Sequence, residues 1–266
     1  MSSTLSSCQT RDGTKIVYRL HGDPQSKKRI VLIHSLAMDH AYWTVVAERL
    51  ADKAAVLTYD CRGHGASDKP AGPYSTELFA DDLSDLMDHL QWPTAVVGGS
   101  SMGGSITLAF ATRHAARVSA LALIDTTCFY GDDAPTAWAG RAKAATEKGL
   151  GSLIEFQLTR WFGDAFKAAH PEVVDACVAT FLKNDVAAYA ATCNMLGNFD
   201  LRDKLASIKV PTCILVGEED YATPIAMAEV LHRGIAGSTY DVLPKARHLT
   251  PLECPDRIVA ELAALI

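Results

Sequence analysis

Val96-Val97-Gly98-Gly99-Ser100-Ser101-Met102-Gly103-Gly104 passes from a short apolar, β-rich run straight into the helical stretch Ser105 to His114, and it holds the pattern Gly-x-Ser-x-Gly centred on Ser101. A serine on so abrupt a turn between strand and helix takes strained backbone angles, and the glycines two residues to either side, Gly99 and Gly103, let the two elements approach without Cβ clashes. The hydroxyl is then pushed out at the carboxyl edge of a sheet. The first turn of the helix aims its free amides at the same point, so the Met102 N–H can donate to an oxygen that develops negative charge. A phosphate loop, the other glycine-rich reading, fails on residue order. No Lys-Ser/Thr follows the glycines, and Gly98, Gly99, Gly103 and Gly104 do not space as GxGxxG.

Outward from this turn, short β-rich runs alternate with helical patterns. Ile30 to Ile33, Ala55 to Tyr59, Ala95 to Val97, Ala120 to Ile124 and Cys213 to Val216 are the strand candidates. Between them lie amphipathic stretches such as Thr76 to Leu90, where Leu78, Leu83, Leu86 and Leu90 recur at helical spacing and Asp81, Asp82 and Asp88 are expected outside. The alternation predicts an α/β fold, a mostly parallel sheet of about eight strands flanked by helices on both faces and joined by right-handed crossovers. Residues 4–10 and 14–20 predict a hairpin turned at Asp12-Gly13. Between Phe129 and Met195 only helical signals occur, over a length far beyond a simple crossover. This predicts a helical cap at 129–195 inserted into a core formed by 1–128 and 196–266.

Composition excludes several classes of function. The chain has 266 residues and a net charge of -6 at pH 7, with no Lys/Arg-rich run to neutralise phosphates or an anionic bilayer. Neither nucleic acid nor membrane is an expected partner, and the longest apolar runs fall far short of the roughly 18 to 20 residues that span a bilayer. The start, Met1-Ser2-Ser3-Thr4-Leu5, carries no positively charged or apolar leader pattern, so a cytoplasmic location is the default expectation. The seven cysteines form an odd, scattered set without a CxxC pair and read as reduced structural thiols. The nine histidines contain no HxxxH or HExxH, so no metal and no cofactor is expected. The composition leaves a homo-oligomer open.

A serine hydroxyl needs a base to take its proton, and the base needs an acid to orient it. Cys213-Ile214-Leu215-Val216-Gly217-Glu218-Glu219-Asp220 is a strand that runs into acidic residues, and Asp220 is the expected acid. Asp125, which ends the strand Ala120 to Ile124, competes with it, whereas Glu218 and Glu219 read as solvent-facing charges. Tyr240 to Leu243 is a last short strand followed by Lys245-Ala246-Arg247-His248, with a terminal helix from Pro255 to Ile266, and His248 is the expected base. The second oxyanion donor should come from the loop His34-Ser35-Leu36-Ala37-Met38, where the Leu36 N–H is the choice and His34 reads as a loop brace. Asp60 and Arg62 likewise read as loop braces. On the cap, Arg160 beside Trp161, with Trp138, forms the expected substrate-binding set. Such a guanidinium suits an anionic substrate, unless it is spent in a structural ion pair.

Taken together, His34-Ser35-Leu36, Asp60-x-Arg62-Gly63-His64-Gly65-x-Ser67, Gly99-x-Ser101-Met102-Gly103-Gly104, Gly217-x-x-Asp220-x-x-x-Pro224 and His248-x-x-x-x-Glu253-x-Pro255 resemble the α/β-hydrolase superfamily over essentially the whole chain. Within it, Ser35-Leu36, Gly72-Pro73-Tyr74-Ser75, Arg160-Trp161-Phe162 and Tyr189-Ala190-x-x-Cys193 are most similar to 3-oxoadipate enol-lactonases and nearby ester or lactone hydrolases. The resemblance implies hydrolysis of a small ester or lactone through a Ser-His-Asp triad and an acyl-enzyme. The rivals it leaves are C–C bond hydrolysis or cofactor-free perhydrolysis on the same scaffold, and a small-lactone receptor with slow turnover.

Overall fold

The computed structural model describes residues 4–266; Met1–Ser3, counted in the expected core, lie outside the described residues. The chain runs β1 (Ser6–Gln9), β2 (Lys15–His21), β3 (Arg29–Ile33), α1 (Thr44–Leu50), β4 (Ala55–Tyr59), α2 (Thr76–His89), β5 (Ala95–Ser100), α3 (Met102–Arg113) and β6 (Val118–Ile124). It continues through α4 (Ala134–Lys148), α5 (Ile154–Trp161), α6 (Asp164–Ala169), α7 (Pro171–Leu182) and α8 (Val186–Asn198). It closes with β7 (Thr212–Gly217), α9 (Ile225–Gly234), β8 (Thr239–Leu243), α10 (Thr250–Glu253) and α11 (Pro255–Ala264).

The strands form one eight-stranded sheet in the order β1-β2-β4-β3-β5-β6-β7-β8. β1 pairs antiparallel with β2, and β2 with β4. All other pairings are parallel. The expected α/β architecture and hairpin are present, the hairpin closing through Gly13 N donating to Thr10 O at 2.8 Å with Gly13 at φ 84°. The central strands are buried throughout and mostly apolar because helices cover both faces of the sheet. Since β3 to β8 all point the same way, the loops after β3, β5, β7 and β8 gather at one edge, where ligands of open α/β sheets bind. Among the described residues no helix is long and apolar enough to cross a membrane. All seven cysteines are free, and six are buried.

Two expectations need correction. Asp82 is not outside: it is 3% exposed and receives Arg62 Nε on Oδ2 at 2.6 Å and Arg62 Nη2 on Oδ1. Position 82 lies one turn from Phe79 and Leu86, on the buried face of α2, and Arg62, also 3% exposed, supplies the charge that makes a carboxylate tolerable there. Arg62→Met is therefore expected to cost about 3–5 kcal/mol in urea unfolding by leaving that carboxylate unpaired. A loss below about 1 kcal/mol would mean the pair is not what keeps Asp82 inside.

The second correction concerns the end of the helical segment between β6 and β7. Residue 195 falls inside α8, which runs on to Asn198 with Met195 and Leu196 buried. The two ends of the segment instead come side by side at an isolated antiparallel bridge between Phe129 and Asp200, where Leu201 N donates to Cys128 O at 3.0 Å. The apolar periodicity of α8 carries no mark at Met195 because nothing in the packing changes there.

Candidate active site

Ser101 sits between the last residue of β5 and the first of α3 with φ 55° and ψ -117°, a conformation rare for any residue with a Cβ. The backbone around it holds the strain. Ser101 N donates to Ile124 O at 3.0 Å, and Ser101 O accepts from Thr126 Oγ1 at 2.7 Å and Ser105 N at 3.1 Å. A Cβ on Gly99 would stand 2.2 Å from the carbonyl of Gly103, and one on Gly103 would stand 2.1 Å from Ile33 O. The two glycines are therefore what lets β3, β5 and α3 meet at this point.

From Ser101 the side chains run in an unbroken line. His248 Nε2 lies 2.8 Å from Ser101 Oγ, and His248 Nδ1 lies 2.8 Å from Asp220 Oδ2. All three residues are buried. Asp220 is held on every side: Thr223 Oγ1 donates to Oδ2 at 2.8 Å, while Ala222 N and Thr223 N donate to Oδ1 at 2.8 and 2.9 Å. Burial alone would raise its pKa, but the His248 charge and these hydrogen bonds hold it below the ordinary value, so the carboxylate stays ionised. Gly217 brings the loops together, since a Cβ there would fall 2.0 Å from Arg247 O.

Asp125 points elsewhere. Its Oδ1 accepts from Gly217 N at 3.0 Å, and its Oδ2 accepts from Thr250 N at 3.1 Å and Thr250 Oγ1 at 2.6 Å. It ties β6 to the loops that carry Asp220 and His248. The histidine loop is also fastened to the helical segment. Glu253 accepts from Arg247 N and Gly163 N, both at 2.6 Å, and Leu249 N donates to Trp161 O at 3.0 Å. Glu219, expected to face solvent, is half-buried and takes Arg247 Nε at 3.3 Å.

The Met102 and Leu36 amides have no acceptor among the described residues, and Leu36 lies in the wall of the cavity that holds Ser101. Next to it, Ala37 adopts φ 60°. His34 is fully engaged in shaping this loop, with Nδ1 donating to Ser35 O at 2.8 Å and Nε2 accepting from Cys61 N at 3.0 Å. Burial pushes its pKa down, which keeps the neutral ring those two bonds require. Asp60 also braces, accepting from His40 N at 2.7 Å and Ala66 N at 2.7 Å.

The cavity measures about 570 Å³ and is lined by Trp138, Arg160 and Trp161 together with Ser101 and His248. Arg160 lies 3.6 Å over the Phe156 ring and has no carboxylate within ion-pair distance among the described residues. Among the lining residues that escaped the sequence reading, two stand out. Arg141 follows Trp138 by one turn of α4, its guanidinium 4.9 Å from that ring and its Nε donating to the Tyr189 hydroxyl at 2.6 Å. The three-residue spacing from Trp138 was the available signal. Burial and the nearby Arg141 charge lower the Arg160 pKa. Tyr130, the other, follows β6 by a few residues and has no local signature.

Comparison with known proteins bears on the fold that carries this site. Residues 28–255 match the family model described as alpha/beta hydrolase fold. The 3-oxoadipate enol-lactonase 2 of Acinetobacter baylyi is 32% identical over 226 residues, 85% of this chain and 84% of that one. The enol-lactonase structure from Burkholderia xenovorans superposes with a TM-score of 0.93 at 33% identity, covering 98% of this chain and 99% of that one. A thermophilic esterase from Thermogutta terrifontis superposes with a TM-score of 0.91 at 28% identity, covering 98% of this chain and 97% of that one.

Proposed function

Because this chain belongs to the alpha/beta hydrolase fold family, we propose that it is a serine hydrolase of a small carboxylic ester or lactone, working through an acyl-enzyme under a helical cap. The observation that carries this reading is the line of 2.8 Å contacts from Asp220 through His248 to Ser101 at the wall of the 570 Å³ cavity. Similarity to enol-lactonases and an esterase supports the substrate class.

Ser101 attacks the carbonyl carbon while His248 Nε2 takes its proton, and Asp220 stabilises the imidazolium. The oxyanion forms between the Leu36 and Met102 amides, already free and fixed by their loop and helix, so little reorganisation is needed when charge appears. Departure of the alcohol or enol, protonated by His248, leaves an acyl-Ser101 that water resolves by the same steps in reverse. This chemistry draws only on the chain's own side chains and amides. A panel of lactones and p-nitrophenyl esters tests the reading; turnover of none of them would overturn it.

The substrate carries an acidic group. Arg141 and Arg160 both line the cavity, against one lining carboxylate, Asp133, and aromatic rings lie beside both guanidiniums. A charge-assisted contact of this kind contributes about 1.5–3 kcal/mol. Arg160→Leu is thus expected to raise KM about ten- to a hundredfold for esters bearing a free carboxylate and to leave neutral esters nearly unchanged. An equal rise for both kinds of ester would make a carboxylate contact untenable.

A further inference from the structure

Tyr130 lies in the same cavity wall as Ser101. Its ring is fixed edge-on by Trp138 at 5.2 Å and Phe199 at 5.7 Å. Burial pushes the pKa of its phenol up to about 12. It therefore keeps its proton at neutral pH and acts as a hydrogen-bond donor, not as a base. Ser105, one turn after Ser101 on α3, is fully buried, and its Oγ has no hydrogen-bond partner among the described residues. Ser101 Oγ is already engaged by His248 Nε2 at 2.8 Å. The phenol thus shares the cavity wall with the nucleophile.

Once a carbonyl carbon is bonded to Ser101, three oxygens surround that carbon. The Ser101 oxygen is served by His248, and the oxyanion by the Leu36 and Met102 amides. The leaving-group oxygen has only His248, which holds the proton taken from Ser101 until the C–O bond breaks. We propose that Tyr130 is a catalytic residue that donates a hydrogen bond to the leaving-group oxygen, a role that rests on reading Ser101 as the acylated nucleophile. The C–O bond breaks with its electron pair staying on oxygen, His248 delivers the proton to that oxygen, and Tyr130 retains its own. In deacylation the attacking water occupies the same place and accepts the same hydrogen bond. Hydrogen bonds of this kind are often long in the free enzyme and tighten as the reaction proceeds.

The test is Tyr130→Phe, which keeps the ring contacts with Trp138 and Phe199 and removes only the hydroxyl. Paired substrates share one acyl group and differ in leaving group, an alkyl alcohol or p-nitrophenol, and kcat/KM isolates acylation. The variant is expected to lose about tenfold to a hundredfold on the alkyl ester, whose alkoxide must be stabilised as it leaves. The p-nitrophenyl ester should lose less than about threefold, because p-nitrophenolate departs without help. Equal losses on both esters would overturn the assignment by putting the phenol at the oxyanion or in packing, and unchanged kinetics on both would overturn it outright. A wild-type enzyme that cleaves neither ester would instead overturn the Ser101 reading, and the role of Tyr130 with it.

Discussion

Ser101→Ala protein is expected to lose on the order of 10⁴ to 10⁶ in kcat on any ester or lactone the wild type cleaves, leaving only what the oxyanion amides and binding supply. It should also take no covalent label from organophosphates or sulfonyl fluorides, which need the activated oxygen. The fold should survive, because the Ser101 side chain makes one hydrogen bond, to His248, while its strained backbone is held by Ile124, Thr126 and Ser105. Neither Ser100 nor Cys61 is equipped to replace it. Ser100 Oγ is bonded to the Tyr42 hydroxyl at 2.9 Å. Cys61 is buried, and burial pushes its thiol well above the ordinary value, so it carries no thiolate at neutral pH. Mass spectrometry after inhibitor treatment, with a thermal melt of the same sample, reads both outcomes. Stoichiometric labelling of folded Ser101→Ala protein would put the nucleophile at another residue.

The strand runs were legible because a parallel sheet covered on both faces leaves its strands mostly apolar, and the Ser101 turn because close approach excludes every residue but glycine at positions 99 and 103. Ser101, Asp220 and His248 could be picked out since each falls just past a strand, and parallel strands bring such positions to one edge whatever the loops do. What escaped depends on partners far along the chain. Asp82 reads as a surface charge until Arg62 is seen beside it. Arg141 reads as an exposed helix residue until α8 packs against α4 and presents the Tyr189 hydroxyl. Tyr130 has no pattern of its own, and only the rings of Trp138 and Phe199 aim it. The helical segment is where the reading was coarsest, because helices folded over a sheet edge can meet in many ways for one periodicity.

Asp220→Asn is expected to lower kcat by about 10⁴-fold at neutral pH, and Asp125→Asn by no more than about tenfold. In Asp220→Asn the amide oxygen can replace Oδ1, which accepts the Ala222 and Thr223 amides, so the NH₂ group takes the place of Oδ2 facing His248 Nδ1. A donor there makes Nδ1 the acceptor and leaves the proton on Nε2. The ring then presents N–H to Ser101 where a lone pair is needed, and the serine proton has nowhere to go. Asp125 touches neither ring nitrogen. Burial and the neighbouring Asp220 charge push its carboxyl well above the ordinary range, and its bonds go to Gly217 and Thr250. Replacing it with asparagine leaves one of two backbone amides facing another donor, a cost of about 1–3 kcal/mol that appears in stability before it appears in turnover. The two variants should therefore separate, Asp220→Asn with a near-native melt and collapsed kcat, Asp125→Asn with a lowered melt and largely retained kcat. Circular dichroism and steady-state kinetics on both purified proteins decide between them, and a folded, fully active Asp220→Asn enzyme would transfer the orienting role to Asp125.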